Sequence, residues 1–308
     1  MKLRIPESIL RIILKFKRKL AGFKICLRRA WYKNRTSSPY ISGDAIAELV
    51  DYAPLGKNGE LKHVDLERLS LAKSIFVPSH FLLDFTELYG GYINASTLVT
   101  GNSDENFTHL PNLPESVRVW IGQNLAIDSR SSGKVELHTL PIGLENLALG
   151  RSGFPRYFKA FSPEIRDKVF VPPMSPTNPI RKMVLEHIKT ASGSFDVFTN
   201  YLPPKSYFTL ANRYRFVLCL EGNGFENHRV WETLYRNGFP VMFRSSWSLS
   251  LLQLNLPIFY IDNLDDCSVE ALVEFEVQNQ HFQAQTQANL WTSHWSRLIS
   301  GGKGFELG

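Results

Sequence analysis

The sequence predicts an α/β protein built on parallel strands. Three observations carry that prediction: a strand–turn–helix–strand–helix–strand order across residues 215–262, short apolar runs bounded by turn residues in the first half, and a proline-rich break at Val171–Pro179 between the two. With 308 residues, 44 % of them hydrophobic and 21 % charged, the chain can build one large domain or two ordinary ones without disulfide staples.

The chain opens with a basic arm. Residues 1–35 hold 12 Lys/Arg and one acid, Glu7, whereas the remainder holds 23 basic and 28 acidic residues and is mildly acidic. Ile9, Ile13, Phe16, Leu20, Phe23 and Leu27 recur at steps of four and three, which is one apolar stripe on a helix, and Arg11, Lys15 and Arg18 line another face. No charge-free run is long enough to span a bilayer, and basic residues interrupt every candidate signal-peptide core. The expected role is a helix lying on an anionic membrane surface, placing the protein in the cytoplasm, peripheral on the inner face of the membrane. A nucleic-acid partner is not expected, because the stripe has no use there and the rest of the chain is acidic. Cys26, Cys219 and Cys267 are few and far apart, which suggests neither a disulfide framework nor a zinc site.

Residues 1–40 then read as arm and linker, 41–175 as a first domain and 176–308 as a second. In the first, a short helical piece near Ala45–Val50 precedes strand-like runs at Ser74–Val77, Ser96–Thr100, Val117–Ile121 and Val135–Leu140. In the second, Asn178-Pro179 reads as a helix N-cap with proline in the first turn, and Ile180, Val184 and Ile188 keep helical spacing. Phe195–Phe198 is a short strand and Tyr207–Tyr214 a helix. Arg215–Leu220 is a buried strand, Glu221-Gly-Asn-Gly224 a turn, Asn227–Arg236 a helix closed by Asn237-Gly238, and Phe239–Phe243 and Leu256–Ile261 two further strands.

In open parallel sheets ligands bind beyond the carboxyl ends of the strands. Glu221, Gly222, Asn223 and Gly224 fall there, before a helix N-terminus that favours phosphate. At about 100° per residue, His228, Arg229 and Glu232 share one face of that helix and Val230, Trp231 and Leu234 the other. The expected arrangement buries the apolar face and turns the polar one outward, with Arg229 toward a diphosphate and Glu232 toward vicinal ribose hydroxyls. A plain surface ion pair between Arg229 and Glu232 satisfies the same spacing.

The stretch Phe216-Val-Leu-Cys-Leu-Glu-Gly-Asn-Gly-Phe-Glu-Asn-His-Arg-Val-Trp-Glu-Thr-Leu-Tyr-Arg-Asn-Gly-Phe-Pro-Val-Met-Phe243 resembles the donor-binding region of exostosin-like glycosyltransferases, the bacterial members especially. Arg229, Trp231, Glu232 and Pro240-Val241 match that pattern, and Gly101–Asp104, Leu140–Asn146 and Leu256–Asp262 are similar to the family as well. Leu220 and Phe225-Glu226-Asn227 depart from it. The resemblance implies two Rossmann-like domains facing a cleft, the GT-B type. It also implies transfer of a sugar from a nucleotide-diphosphate donor to a glycan or lipid-linked acceptor, for cell-surface polysaccharide. Arg229, Arg244, Ser245 and Ser246 are then candidates to stabilise the leaving diphosphate, and the resemblance implies that no metal or cofactor is needed. A general base is expected from the first half, with Asp104 the best placed and His80, Asp84, His138 and Glu145 behind it. The alternatives are a nucleotide- or glycan-binding protein without turnover and a membrane-surface scaffold.

Overall fold

The computed structural model describes residues 35–55, 61–127, 133–158, 163–191 and 193–301. All of the basic arm before Arg35 lies outside these residues. No helix among the described residues is long and apolar enough to cross a membrane.

The strands form two wholly parallel sheets. In the first half, α1 (Gly43–Ala47) and α2 (Leu66–Leu71) precede β1 (Ser74–Pro78), and α3 (Leu82–Tyr89) crosses to β2 (Thr97–Gly101); β3 (Val119–Gly122) and β4 (Glu136–Thr139) follow after loops. The four strands lie in chain order, with Val99 opposite Phe76 and Ile121. Every residue of β1 and β2 is buried, as suits parallel strands covered on both faces. Asn102 and Asn124 take left-handed backbone at the carboxyl ends of β2 and β3, a conformation asparagine tolerates better than most residues.

The second half comprises β5 (Ile165–Val171), α4 (Pro179–His187), β6 (Phe195–Val197), α5 (Pro204–Ala211), β7 (Tyr214–Leu218), α6 (His228–Tyr235), β8 (Phe239–Phe243), α7 (Ser246–Ser250), β9 (Phe259–Ile261), α8 (Val269–Gln278) and α9 (Thr292–Ile299). Its sheet order is β6-β5-β7-β8-β9. From β5 the chain steps to one side, then returns across β5 to build the other side, so the strand order reverses between β5 and β7. Asn178 caps α4 as expected, its side chain accepting from the Arg181 amide at 2.9 Å. Helix α5 begins earlier than its apolar spacing suggested, because Pro203-Pro204 starts it and Tyr214 already belongs to β7.

The expected domain limits need correction. Strand β5 lies before residue 176 yet pairs in the second sheet. Its first half, Ile165-Arg-Asp-Lys168, is charged and partly exposed, which hid it from an apolar-run reading. Nor are residues 39–40 a free linker. Tyr40 packs edge-on against Tyr235 at 4.9 Å and bridges to Trp291, and the Thr292 amide donates to the Pro39 carbonyl at 3.0 Å. The carboxyl-terminal helix α9 thus returns to the first half.

The two sheets share one core. Phe76, Val99 and Ile121 from the first and Phe170, Val217 and Met242 from the second meet Val230, Trp231, Leu234 and Tyr235 of α6 in a single cluster. Neighbouring residues on the same strands point the other way, as a period of two requires, into separate outer clusters around Trp120 and around Phe216.

Candidate functional site

Helix α6 is the hinge of the site. Asn227 caps it, its side chain accepting from the Arg229 amide at 2.8 Å. Val230, Trp231 and Leu234 are fully buried, as the amphipathic layout required. On the other side, His228, Arg229 and Glu232 line a cavity of about 300 Å³ together with Pro173 after β5, Tyr201 and Leu202 after β6, Tyr207 and Phe208 of α5, and Ser152 of the loop after β4. The cavity lies at the carboxyl ends of β5, β6 and β7, where the strand order reverses and the loops diverge. The polar face therefore opens onto a partly open cavity, in which Glu232 itself is buried.

Glu232 is only 5 % exposed, and among the described residues its carboxylate has no hydrogen-bond or ion-pair partner. Burial pushes its pKa up, against the pull of His228, Arg229 and Arg236; Glu145 adds to the upward push. Arg229 donates through Nη2 to the Pro173 carbonyl at 2.8 Å and has no carboxylate partner among the described residues. The simple Arg229–Glu232 surface pair is therefore absent. His228 Nδ1 lies 2.9 Å from the Gly143 carbonyl. A carbonyl only accepts, so Nδ1 carries the proton and Nε2 is the ring's acceptor.

Sequence reasoning missed Arg181. It occupies the first turn of α4, is 9 % exposed, and feels the charge of Arg229. Its guanidinium donates to the Glu221 carbonyl at 2.7 Å and to Thr177 Oγ1 at 3.3 Å, with no carboxylate partner among the described residues. Burial, then Arg229, holds its pKa below the usual value. The only sequence signal was its place one turn after the Asn178 cap, and that needed β5 to be recognised first.

The glycine-rich turn does different work from that expected. Gly222, Asn223 and Gly224 do not line the cavity. Asn178 Nδ2 donates to the carbonyls of Glu221 and Gly222 at 2.8 and 2.7 Å, which ties the turn to α4. A Cβ on Gly224 would sit 2.7 Å from the Asp104 carbonyl oxygen, so this glycine serves close approach to the first half. Beyond it, the Phe225 amide donates to Asn106 Oδ1 at 2.8 Å and the Glu226 amide to Asn124 Oδ1 at 2.9 Å. Glu226 Oε1 accepts from the Ile142 amide at 2.8 Å and from the Trp231 indole. Of the residues that depart from the exostosin-like pattern, Phe225 and Glu226 thus form the junction between the two sheets.

Asp104 is drawn into the same junction, accepting from Asn223 Nδ2 at 3.2 Å, and does not line the cavity. Arg244 pairs with Asp262 at 3.2 Å on the surface, Ser245 caps α7 in a reciprocal bond pair with Ser248, and Ser246 is the first residue of that helix. These three also lie outside the cavity lining, although Ser245 hydrogen-bonds the Glu221 carboxylate. Of the other base candidates, His80 packs on Phe81, Asp84 lies in the first turn of α3 and His138 pairs with Glu136. Glu145 approaches the cavity, accepting from the amide and hydroxyl of Ser152 at 2.9 and 3.1 Å. No group of three or more His, Cys, Asp or Glu among the described residues could hold a metal ion.

A scan against protein-family models and a search of curated proteins gave no match to this chain.

Proposed function

We propose that the chain is a GT-B-type glycosyltransferase that moves a sugar from a nucleotide-diphosphate donor to a glycan or lipid-linked acceptor, in the making of cell-surface polysaccharide. The observation that carries this reading is the Glu232 carboxylate, buried and without a partner among the described residues, on a cavity wall beside the Arg229 guanidinium, which donates to the Pro173 carbonyl and has no carboxylate partner among those residues. A buried carboxylate is costly unless it is bonded, and two vicinal hydroxyls of a ribose supply the donors it lacks. Arg229, with Arg181 behind it, suits diphosphate oxygens and the charge that develops as the diphosphate leaves. The exostosin-like residues Arg229, Trp231 and Glu232 support the same reading.

His228 replaces Asp104 as the base. In a direct displacement the acceptor oxygen bonds to the anomeric carbon while the bond to the diphosphate breaks and its electron pair leaves with phosphate. The hydroxyl proton passes to His228 Nε2, the nitrogen left free by the bond to Gly143. Residues 1–35 hold the enzyme on the anionic inner face of the membrane, near a lipid-linked acceptor.

The removal of Asp104 from the cavity favours one second reading, a nucleotide- or glycan-binding protein without turnover. Incubating the full chain with radiolabelled nucleotide sugars separates the two. Release of sugar or transfer, abolished by His228→Ala, is the result expected of an enzyme. Saturable binding of a nucleotide sugar with no release under any acceptor condition would leave only the binding reading.

A further inference from the structure

We propose that the second sheet carries a separate site for a small oxyanion, a phosphate or carboxylate group on a compact body, at the amino ends of its central strands. A cavity of about 510 Å³ lies there, lined by Arg166 of β5, Arg215 of β7, Asn237 of the turn before β8, and Glu276 with Val273 and Val277 of α8. One carboxylate oxygen serves two guanidiniums in it: Glu276 Oε1 is 2.6 Å from Arg166 Nη1 and 3.4 Å from Arg215 Nε. Arg166 takes the well-formed bond, and Arg215 Nε is left buried without a hydrogen-bond acceptor. These three side chains therefore carry one uncompensated positive charge.

The Arg215 guanidinium is also held in place. Its side chain is 8 % exposed, it stacks on the Phe239 ring at 4.0 Å, and Nη1 donates to the Asn237 carbonyl. A buried guanidinium fixed in orientation and short of acceptors is strongly favoured by an incoming anion, whose oxygens match its fork. Val273 and Val277, 46 % and 60 % exposed on the same wall, offer apolar contact to the body that carries the anion. The site is distinct from the Glu232 cavity. Both use β5 and β7, but at opposite ends, and seven residues of strand separate them by about 20 Å. The inference does not depend on glycosyl transfer.

The test is a thermal-shift titration of the full chain with inorganic phosphate, and separately with acetate, at ionic strength balanced with chloride. It is run in an Arg229→Ala background so that the Glu232 cavity does not contribute. A concentration-dependent rise in melting temperature is expected with at least one of the two anions; which of them acts assigns the phosphate or the carboxylate class. Arg166→Gln, at a half-exposed position, should weaken that anion's affinity roughly tenfold or more. Arg215→Lys, which keeps the charge and loses the fork, should do the same. No rise with either anion, or a rise that both variants leave unchanged, overturns the proposal.

Discussion

Two buried glutamates six residues apart on one segment have opposite surroundings. Glu226, 3 % exposed, gives Oε1 to two donors from different parts of the fold and fastens the second sheet to the first, while its Oε2 is buried without a hydrogen-bond partner among the described residues. Glu232, 5 % exposed, has no donor among the described residues and faces a cavity. Burial alone does not distinguish structural from functional acids. What the carboxyl group faces does: an acid whose oxygen takes donors from two parts of the fold specifies packing, and one that takes none and lines a cavity is held ready for something outside the chain.

The largest effect should come from removing the acid at the junction. Glu226→Ala strands the Ile142 amide and the Trp231 indole and opens a hole between the sheets, so a loss of about 2–4 kcal/mol is expected in denaturant unfolding. Little or no loss would mean that the junction is not what joins the halves. Gly224→Ala should follow at about 1–3 kcal/mol, since its Cβ meets backbone at Asp104 and not a flexible side chain.

The pH dependence sharpens the contrast. Burial raises the Glu226 pKa to about 8 from an ordinary 4.5. The folded state then holds the proton more tightly than the unfolded chain. That contribution is complete below the unfolded value and is lost as pH rises through the folded one. Melting temperature should therefore fall between about pH 4.5 and pH 8 in the wild type and fall less in Glu226→Gln, which cannot ionise. Parallel curves for the two proteins would place the titration elsewhere. A smaller effect is expected from Arg181→Gln, which should weaken nucleotide-diphosphate affinity by about three- to tenfold through lost charge near Arg229. Unchanged affinity would remove Arg181 from the site.

Much of the second half was legible because its signals are local. The N-cap at Asn178, the apolar face of α6 and the runs that became β7 and β8 all depend on residues within a few positions of each other. The shared face of His228, Arg229 and Glu232 followed from helical spacing alone. The junction was not legible, because Asn106, Asn124 and Ile142 meet Phe225 and Glu226 across separations of 84 to 119 residues. Strand β5 was lost because its charged first half breaks the apolar pattern, and with it went the reversal of strand order that locates the cavity and Arg181. Gly222 and Gly224 misled for a related reason: a tight glycine turn looks the same whether it admits a phosphate or a neighbouring backbone.

Glu232→Gln offers the sharpest single measurement: nucleotide-diphosphate affinity by calorimetry and melting temperature, recorded on the same variant. Removing an unpaired buried charge while keeping its shape should leave the melting temperature unchanged or higher, yet lower affinity for UDP or GDP about tenfold or more. A variant that binds the nucleotide as tightly as the wild type but melts several degrees lower would show that Glu232 serves the fold and not a ligand.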